Sequence, residues 1–180
     1  MKDVMFDIET LSTNYNAVIV QLAACYFDRE TGEIGETYVT NIDIESCLEY
    51  GLAIDGETLK WWFKQSNRTF LNTPRTLPAA LNTFATFIEK AETVWAHATF
   101  DIPVLANAYR AAGIKFPFRY WKSRDIRTLV DLANMDREAE KRNEEKRTDA
   151  HDALADCRYQ VAYCVRCFEA LKSPERDLIK

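Results

Sequence analysis

The chain has 180 residues, 47% of them hydrophobic, and a formal net charge of −5. That predicts one compact domain with a sizeable core over residues 1–172 and a short tail at 173–180, and no run reaches the ~20 apolar residues of a membrane span. Five cysteines without disulfide-like spacing, and an N-terminus that enters a strand without an apolar signal region, lead us to expect a cytoplasmic protein.

Residues 2–8 read as a buried strand, and 17–28 as a second carrying Val18, Ile19, Val20, Leu22 and Cys25. The polar connection Asp28-Arg29-Glu30-Thr31-Gly32-Glu33 leads to a third strand ending near Ile42, which makes a hairpin. Glu57 to Gln65 carries Leu59, Trp62 and Phe63 at helical spacing. Leu77 to Ala91 repeats the period with Leu81, Phe84 and Ile88, and Pro78 suits a first helical turn. Thr93-Val94-Trp95-Ala96 is a short buried strand, and a helix from about Ile102 stops at Gly113. Tyr120 to Ser123 reads as a last short strand before a helix over Asp125 to Ala133. After a polar stretch, Ala150 to Leu171 forms the closing helix, with Thr148 or Asp149 available to cap it. Alternation of this kind predicts an α/β sheet layered with helices.

Two charged stretches bear on function. Arg119, Lys122, Arg124 and Arg127 form one basic run. The second, Arg137 to Arg147, alternates with Glu138, Glu140, Glu144 and Glu145 and reads as a solvated face. Cys164 and Cys167 form a CxxC pair without a second pair or an adjacent histidine, so both are expected in the core rather than on a metal.

The chemistry concentrates in five residues. Asp7 and Glu9 are one residue apart in an otherwise apolar strand, so they project from the same face. Burying carboxylates without partners is costly, and a divalent cation relieves that cost through hard oxygen ligands. Asp101 sits at a strand-to-helix junction, where sites in α/β sheets collect, although a helix cap would explain it alone. His151 and Asp156 are five residues apart, about 140° around a regular helix. Both reach one centre only if His151 lies at the loop-to-helix junction and Asp156 on the helix. Asp152 shares a helix face with Asp156 and is the rival reading. The bulk charge of −5 decides little, because the four acids supply most of it and two divalent cations would cancel most of it.

Phe6-Asp7-Ile8-Glu9-Thr10, then Phe100-Asp101, then His151 and Asp156 resemble the DEDDh (DnaQ-like) 3′–5′ exonucleases, from one end of the chain nearly to the other. Three further segments, Thr58-Leu59-Lys60-Trp61-Trp62, Arg124-Asp125-Ile126-Arg127-Thr128 and His151-Asp152-Ala153-Leu154-Ala155-Asp156-Cys157, resemble the RNase T-like branch that includes the phage exonuclease DexA and a mycobacterial 3′–5′ exoribonuclease. The resemblance implies an RNase H-like mixed sheet flanked by helices and nucleotides released from single-stranded DNA or RNA 3′ ends. It also implies two divalent cations, Mg²⁺ or Mn²⁺. By it, Asp7, Glu9 and Asp156 would hold the inner metal, with Asp7 bridging and Asp101 supporting the second, while His151 would deprotonate the attacking water. Thr10 and Leu11 would meet the terminal nucleotide, and Phe100 and Trp61 are candidates for substrate contact, Phe100 by stacking on a base. One departure stands out: where many relatives have Asn shortly before the second motif, this chain has His97. The rivals are a structure-selective endonuclease, which His151 disfavours, and an idle nucleic-acid-binding module, which the full set of acids disfavours. Nothing in the chain opposes a homodimer.

Overall fold

A computed structural model describes residues 1–66, 69–136 and 146–172. Strands β1 (Asp3–Thr10), β2 (Ile19–Phe27), β3 (Ile34–Asn41), β4 (Thr93–Ala96) and β5 (Ser123–Asp125) form one sheet in the order β3-β2-β1-β4-β5. The β1–β2 and β2–β3 pairs are antiparallel, whereas β1–β4 and β4–β5 are parallel. The described helices are α1 (Ile44–Glu49), α2 (Gly56–Trp62), α3 (Leu77–Phe87), α4 (Asp101–Ala111), α5 (Ile126–Leu132) and α6 (Ala153–Lys172). Among these residues no helix is long and apolar enough to cross a membrane.

Strand alternation divides the core in two. Val4, Phe6 and Ile8 face the layer built from Leu81 and Phe84 of α3 and Val104, Leu105 and Tyr109 of α4. Met5 faces the opposite layer, where Ile126 and Leu129 of α5 and Cys157, Val161 and Cys164 of α6 pack with Trp95. With helices on both faces, β1 is buried at every residue. Asp7 and Glu9 share the parity of Met5, so they point toward α6. Cys164 and Cys167 are buried, as expected.

The hairpin, the strand at Thr93–Ala96 and the helix stop at Gly113 (φ +67°) stand where the sequence placed them. Five elements differ. Helix α1 has no counterpart among the predicted elements; its six residues are too few to show a period, and Asp43 caps it by accepting the Ser46 amide. Helices α2 and α3 close earlier than predicted, at Trp62 and Phe87. Tyr120–Lys122 forms a 3-10 turn, and the strand follows it, ending at Asp125, whose carboxylate caps α5 through the Thr128 amide at 2.8 Å. The closing helix starts at Ala153, because Asp152, rather than Thr148 or Asp149, accepts the Ala155 amide at 3.1 Å. The tail 173–180 and most of the charged stretch, 137–145, lie outside the described residues.

Candidate active site

Three separated segments bring the acids together at the carboxyl end of the parallel strands. Asp7 and Glu9 come from the end of β1, where the register with β2 shifts between Glu9 and Thr10. Such a bulge re-aims side chains. Asp101 opens α4 after β4, and its Oδ2 accepts the His97 amide at 2.8 Å. It is therefore not the N-cap of α4; Phe100 holds that position without a side-chain bond. Asp156 lies on the first turn of α6. Further along the same helix face, Gln160 donates to Asp7 Oδ1 at 2.8 Å, and the Tyr163 hydroxyl lies 3.2 Å from His97 Nε2. Ligating atoms of Glu9, His151 and Asp156 all lie within 4.8 Å of one another, as do those of Asp7, His97 and Asp101.

His151 stands two residues before α6, at the loop-to-helix junction that its spacing from Asp156 demands. Its backbone has φ +64°, a left-handed conformation that costs a non-glycine residue roughly 1–3 kcal/mol and tends to mark functional sites. The strain is held by neighbours. Its amide donates to Asp156 Oδ2 at 3.1 Å, and its ring meets Trp61 edge-to-face at 4.6 Å.

The electrostatics suit a cation site. Burial raises the Asp7 carboxyl well above its usual range, and Asp101, Glu9 and Asp156 push it further. Glu9 is raised likewise by burial and then by Asp156. Burial lifts Asp101 to about 7 against the opposing pull of the His97 amide and Arg127. Asp156 is raised by burial too, although the Arg147 guanidinium opposes it. Four acids that destabilise one another's charge are the donor set a hard divalent cation relieves. Burial also lowers His97 to about 4, so its ring is neutral at neutral pH.

Beside the acids lies an open cleft of 440 Å³, whose lining includes Glu9, Thr10, Thr58, Trp61, Trp62 and Phe100. Trp61 is 40% exposed there, while Trp62 is buried and donates its indole N–H to the Thr10 carbonyl at 2.8 Å. Leu11 turns away: it is 2% exposed, its amide donates to Val18 and its carbonyl accepts from Asp55. In the basic run, Lys122 donates to the Ala91 carbonyl and Arg124 to those of Trp121 and Ser123, so both serve the backbone.

Sequence reasoning missed Gln160, Tyr163 and Arg147. The first two follow Asp156 by four and seven residues, a helical spacing that would have found them. Arg147 is the reverse of the solvated residue expected: its side chain is 12% exposed and its Nη1 donates to Asp156 Oδ1 at 2.6 Å.

Comparison with known proteins agrees with this geometry. Escherichia coli exonuclease I, in a zinc-bound complex with single-stranded DNA, superposes with a TM-score of 0.67 at 15% identity, over 94% of this chain and 42% of that one. Exonuclease X in complex with 5′ overhanging duplex DNA gives 0.62 at 15% identity, over 93% and 91%. The nuclease domain of 3′hExo, a DEDDh family member bound to rAMP, gives 0.59 at 12% identity, over 93% and 91%. At these identities the likeness is one of fold, and the chain spans about two fifths of exonuclease I. No curated protein matches it in sequence. Residues 2–168 do match a family described as the 3′-5′ exoribonuclease Rv2179c-like domain, and the chain belongs to that family.

Proposed function

We propose that the chain is a 3′–5′ exonuclease that hydrolyses single-stranded nucleic acid from its 3′ end and releases nucleoside monophosphates. The observation that carries this reading is the convergence of Asp7, Glu9, Asp101 and Asp156 beside His151, at the rim of an aromatic cleft. In it, Asp7, Glu9 and Asp156 would hold one divalent cation, Mg²⁺ or Mn²⁺, and Asp7 with Asp101 would hold a second. Cations held there would supply Lewis-acid stabilisation of the negative charge that develops on the phosphate oxygens during hydrolysis.

The remaining work falls to the chain's own side chains. His151 takes the proton of the attacking water, and the edge contact with Trp61 keeps its ring at the cleft. Trp61 and Phe100 offer their faces to the terminal bases, which stack without regard to sequence. Thr10 lines the cleft floor, with Leu11 behind it as packing. RNA is the favoured substrate because the family is one of exoribonuclease domains. A single exonuclease domain through residue 172 and a cytoplasmic setting fit the one sheet and the five buried cysteines.

Side-by-side digestion of end-labelled single-stranded RNA and DNA tests this. With Mg²⁺ or Mn²⁺, 3′-labelled RNA loses its label at once as mononucleotide, 5′-labelled RNA gives a descending ladder, and EDTA stops both. Cleavage of a circular single strand would point to an endonuclease instead.

A further inference from the structure

Arg147 is arranged as no ordinary surface cation is. Its Nη1 donates to Asp156 Oδ1 at 2.6 Å, and its Nε donates to the exposed Asp149 at 2.9 Å. The guanidinium carbon lies 4.8 Å from the centre of the Tyr159 ring, one turn along α6 from Asp156. Its Nη2 is buried and has no hydrogen-bond partner among the described residues. An orphaned donor on a buried charge is costly, so a purely structural pair would be expected to use it. The other oxygen of Asp156, Oδ2, accepts the His151 amide. Residues 147 to 151 therefore engage both oxygens of an acid that the cation reading needs.

We propose that Arg147 is the displaceable counter-ion of the cation site: it holds Asp156 until a divalent cation takes that carboxylate, and its guanidinium then binds a phosphate oxygen of the strand. The inference rests on the two-cation reading and deepens it. A cation reaching Asp156 Oδ1 competes directly with Nη1. Once released, Nη1 joins Nη2 as a pair of parallel donors, the fork that matches two oxygens of one phosphate. Tyr159 and Asp149 keep the guanidinium in place during the exchange, one through its ring face and the other through Nε. Cation binding is thereby coupled to substrate binding through one side chain. Without a strand to receive it, the guanidinium returns to Asp156 and weakens the hold on metal.

Calorimetric titration with Mn²⁺, and then with AMP at saturating Mn²⁺, tests the exchange without turnover. Arg147→Gln binds Mn²⁺ about tenfold more tightly than the wild type when no nucleotide is present, and binds AMP about tenfold more weakly. Arg147→Lys, which keeps the charge, stays near the wild type in the first titration and recovers part of the second. Arg127→Gln is the control for charge alone, since Arg127 is exposed and acts on Asp101 at a distance; it changes Mn²⁺ affinity by less than Arg147→Gln. Mn²⁺ affinity that is unchanged or weaker in Arg147→Gln overturns the proposal, as does unchanged AMP affinity. A wild-type protein that binds no Mn²⁺ sinks the two-cation reading with it, so the two failures are distinguishable.

Discussion

Asp3 and Asp7 stand on one face of one strand, 6% and 7% exposed, yet the protein treats them in opposite ways. Burial alone would raise Asp3, but donors surround it: Arg29 Nε at 2.9 Å with Nη2 beside it, the Thr93 hydroxyl, and the Trp95 indole at 2.9 Å. Together they hold its carboxyl below the usual value. Asp7 has Gln160 as its donor and three carboxylates as neighbours, so its carboxyl is pushed well up. Element, facing and solvent exposure are nearly the same. What separates a structural acid from a site acid is what the rest of the fold brings to it. Arg29 arrives from the turn after β2, and α6 contributes an amide and another acid. A fully donated carboxylate needs nothing more, whereas a crowded one needs a cation.

Asparagine substitution sharpens that contrast most. Asp7→Asn should abolish hydrolysis while the metal-free protein melts at the same temperature or higher, because one charge leaves a self-repelling cluster. Asp3→Asn should do the reverse. Removing the charge opposite the partly exposed Arg29 costs about 2–3 kcal/mol, read by urea unfolding, with turnover per folded molecule retained. Wild-type turnover by Asp7→Asn would remove the basis of the comparison.

Next in size is His151→Ala. As the proton acceptor, His151 should contribute about 10²–10⁴ in rate, seen in single-turnover digestion of labelled RNA. Mn²⁺ binding should persist, since the backbone amide that Asp156 accepts is still there. A variant that loses cation binding instead would make His151 part of the metal site rather than a base.

The sheet and the site differ in how far they were legible. The strand at Thr93–Ala96, the hairpin and the closing helix declare themselves by period, and the four acids by sitting where apolar residues belong. His151 was placed at its junction by the arithmetic of 100° per residue. Helix α1 was not legible, since six residues show no stripe. Neither was Arg147, whose neighbours in sequence are the charges of a solvated run; only Asp156 and Tyr159, brought over by α6, make it a buried cation. Gly- and Pro-free stretches such as 44–49 carry no local mark of their start beyond a capping Asp43.

Acid titration separates the two aspartates by sign. Asp101 moves to about 7 from an ordinary 3.8, and Asp7, Glu9 and Asp156 move up as well. Between about pH 4 and 7 the folded protein holds protons that the unfolded chain has released, so metal-free stability falls as pH rises through that window. His97, lowered from 6.5 to about 4, acts the other way below 6.5, one group against four. Asp3, lowered, contributes stability that is present above 3.8 and lost only in stronger acid. Melting of EDTA-treated protein should therefore occur at higher temperature near pH 5 than near pH 8. Saturating Mn²⁺ should reverse the slope, because it binds the ionised carboxylates. The same slope with and without metal would mean that the acids do not form a cation site.

The smallest effect is expected at Asp152, an acid of a third kind. It lies four residues from Asp156 and contributes to raising Glu9, so proximity alone would assign it to the site. Its own bonds say otherwise. Oδ1 accepts the Ala155 amide at 3.1 Å as the cap of α6, and Oδ2 accepts the Thr69 hydroxyl at 3.2 Å. Asparagine caps a helix about as well as aspartate, so Asp152→Asn should shift stability by less than about 0.5 kcal/mol, whereas Asp152→Ala should cost about 1 kcal/mol. Turnover by the Asn variant should stay within about twofold, because losing a charge near Glu9 removes no ligand and no proton acceptor. If Asp152→Asn instead stops the enzyme while His151→Ala does not, the closing motif has been read in the wrong register. Asp152 would then join Asp7 among the crowded acids rather than Asp3 among the satisfied ones.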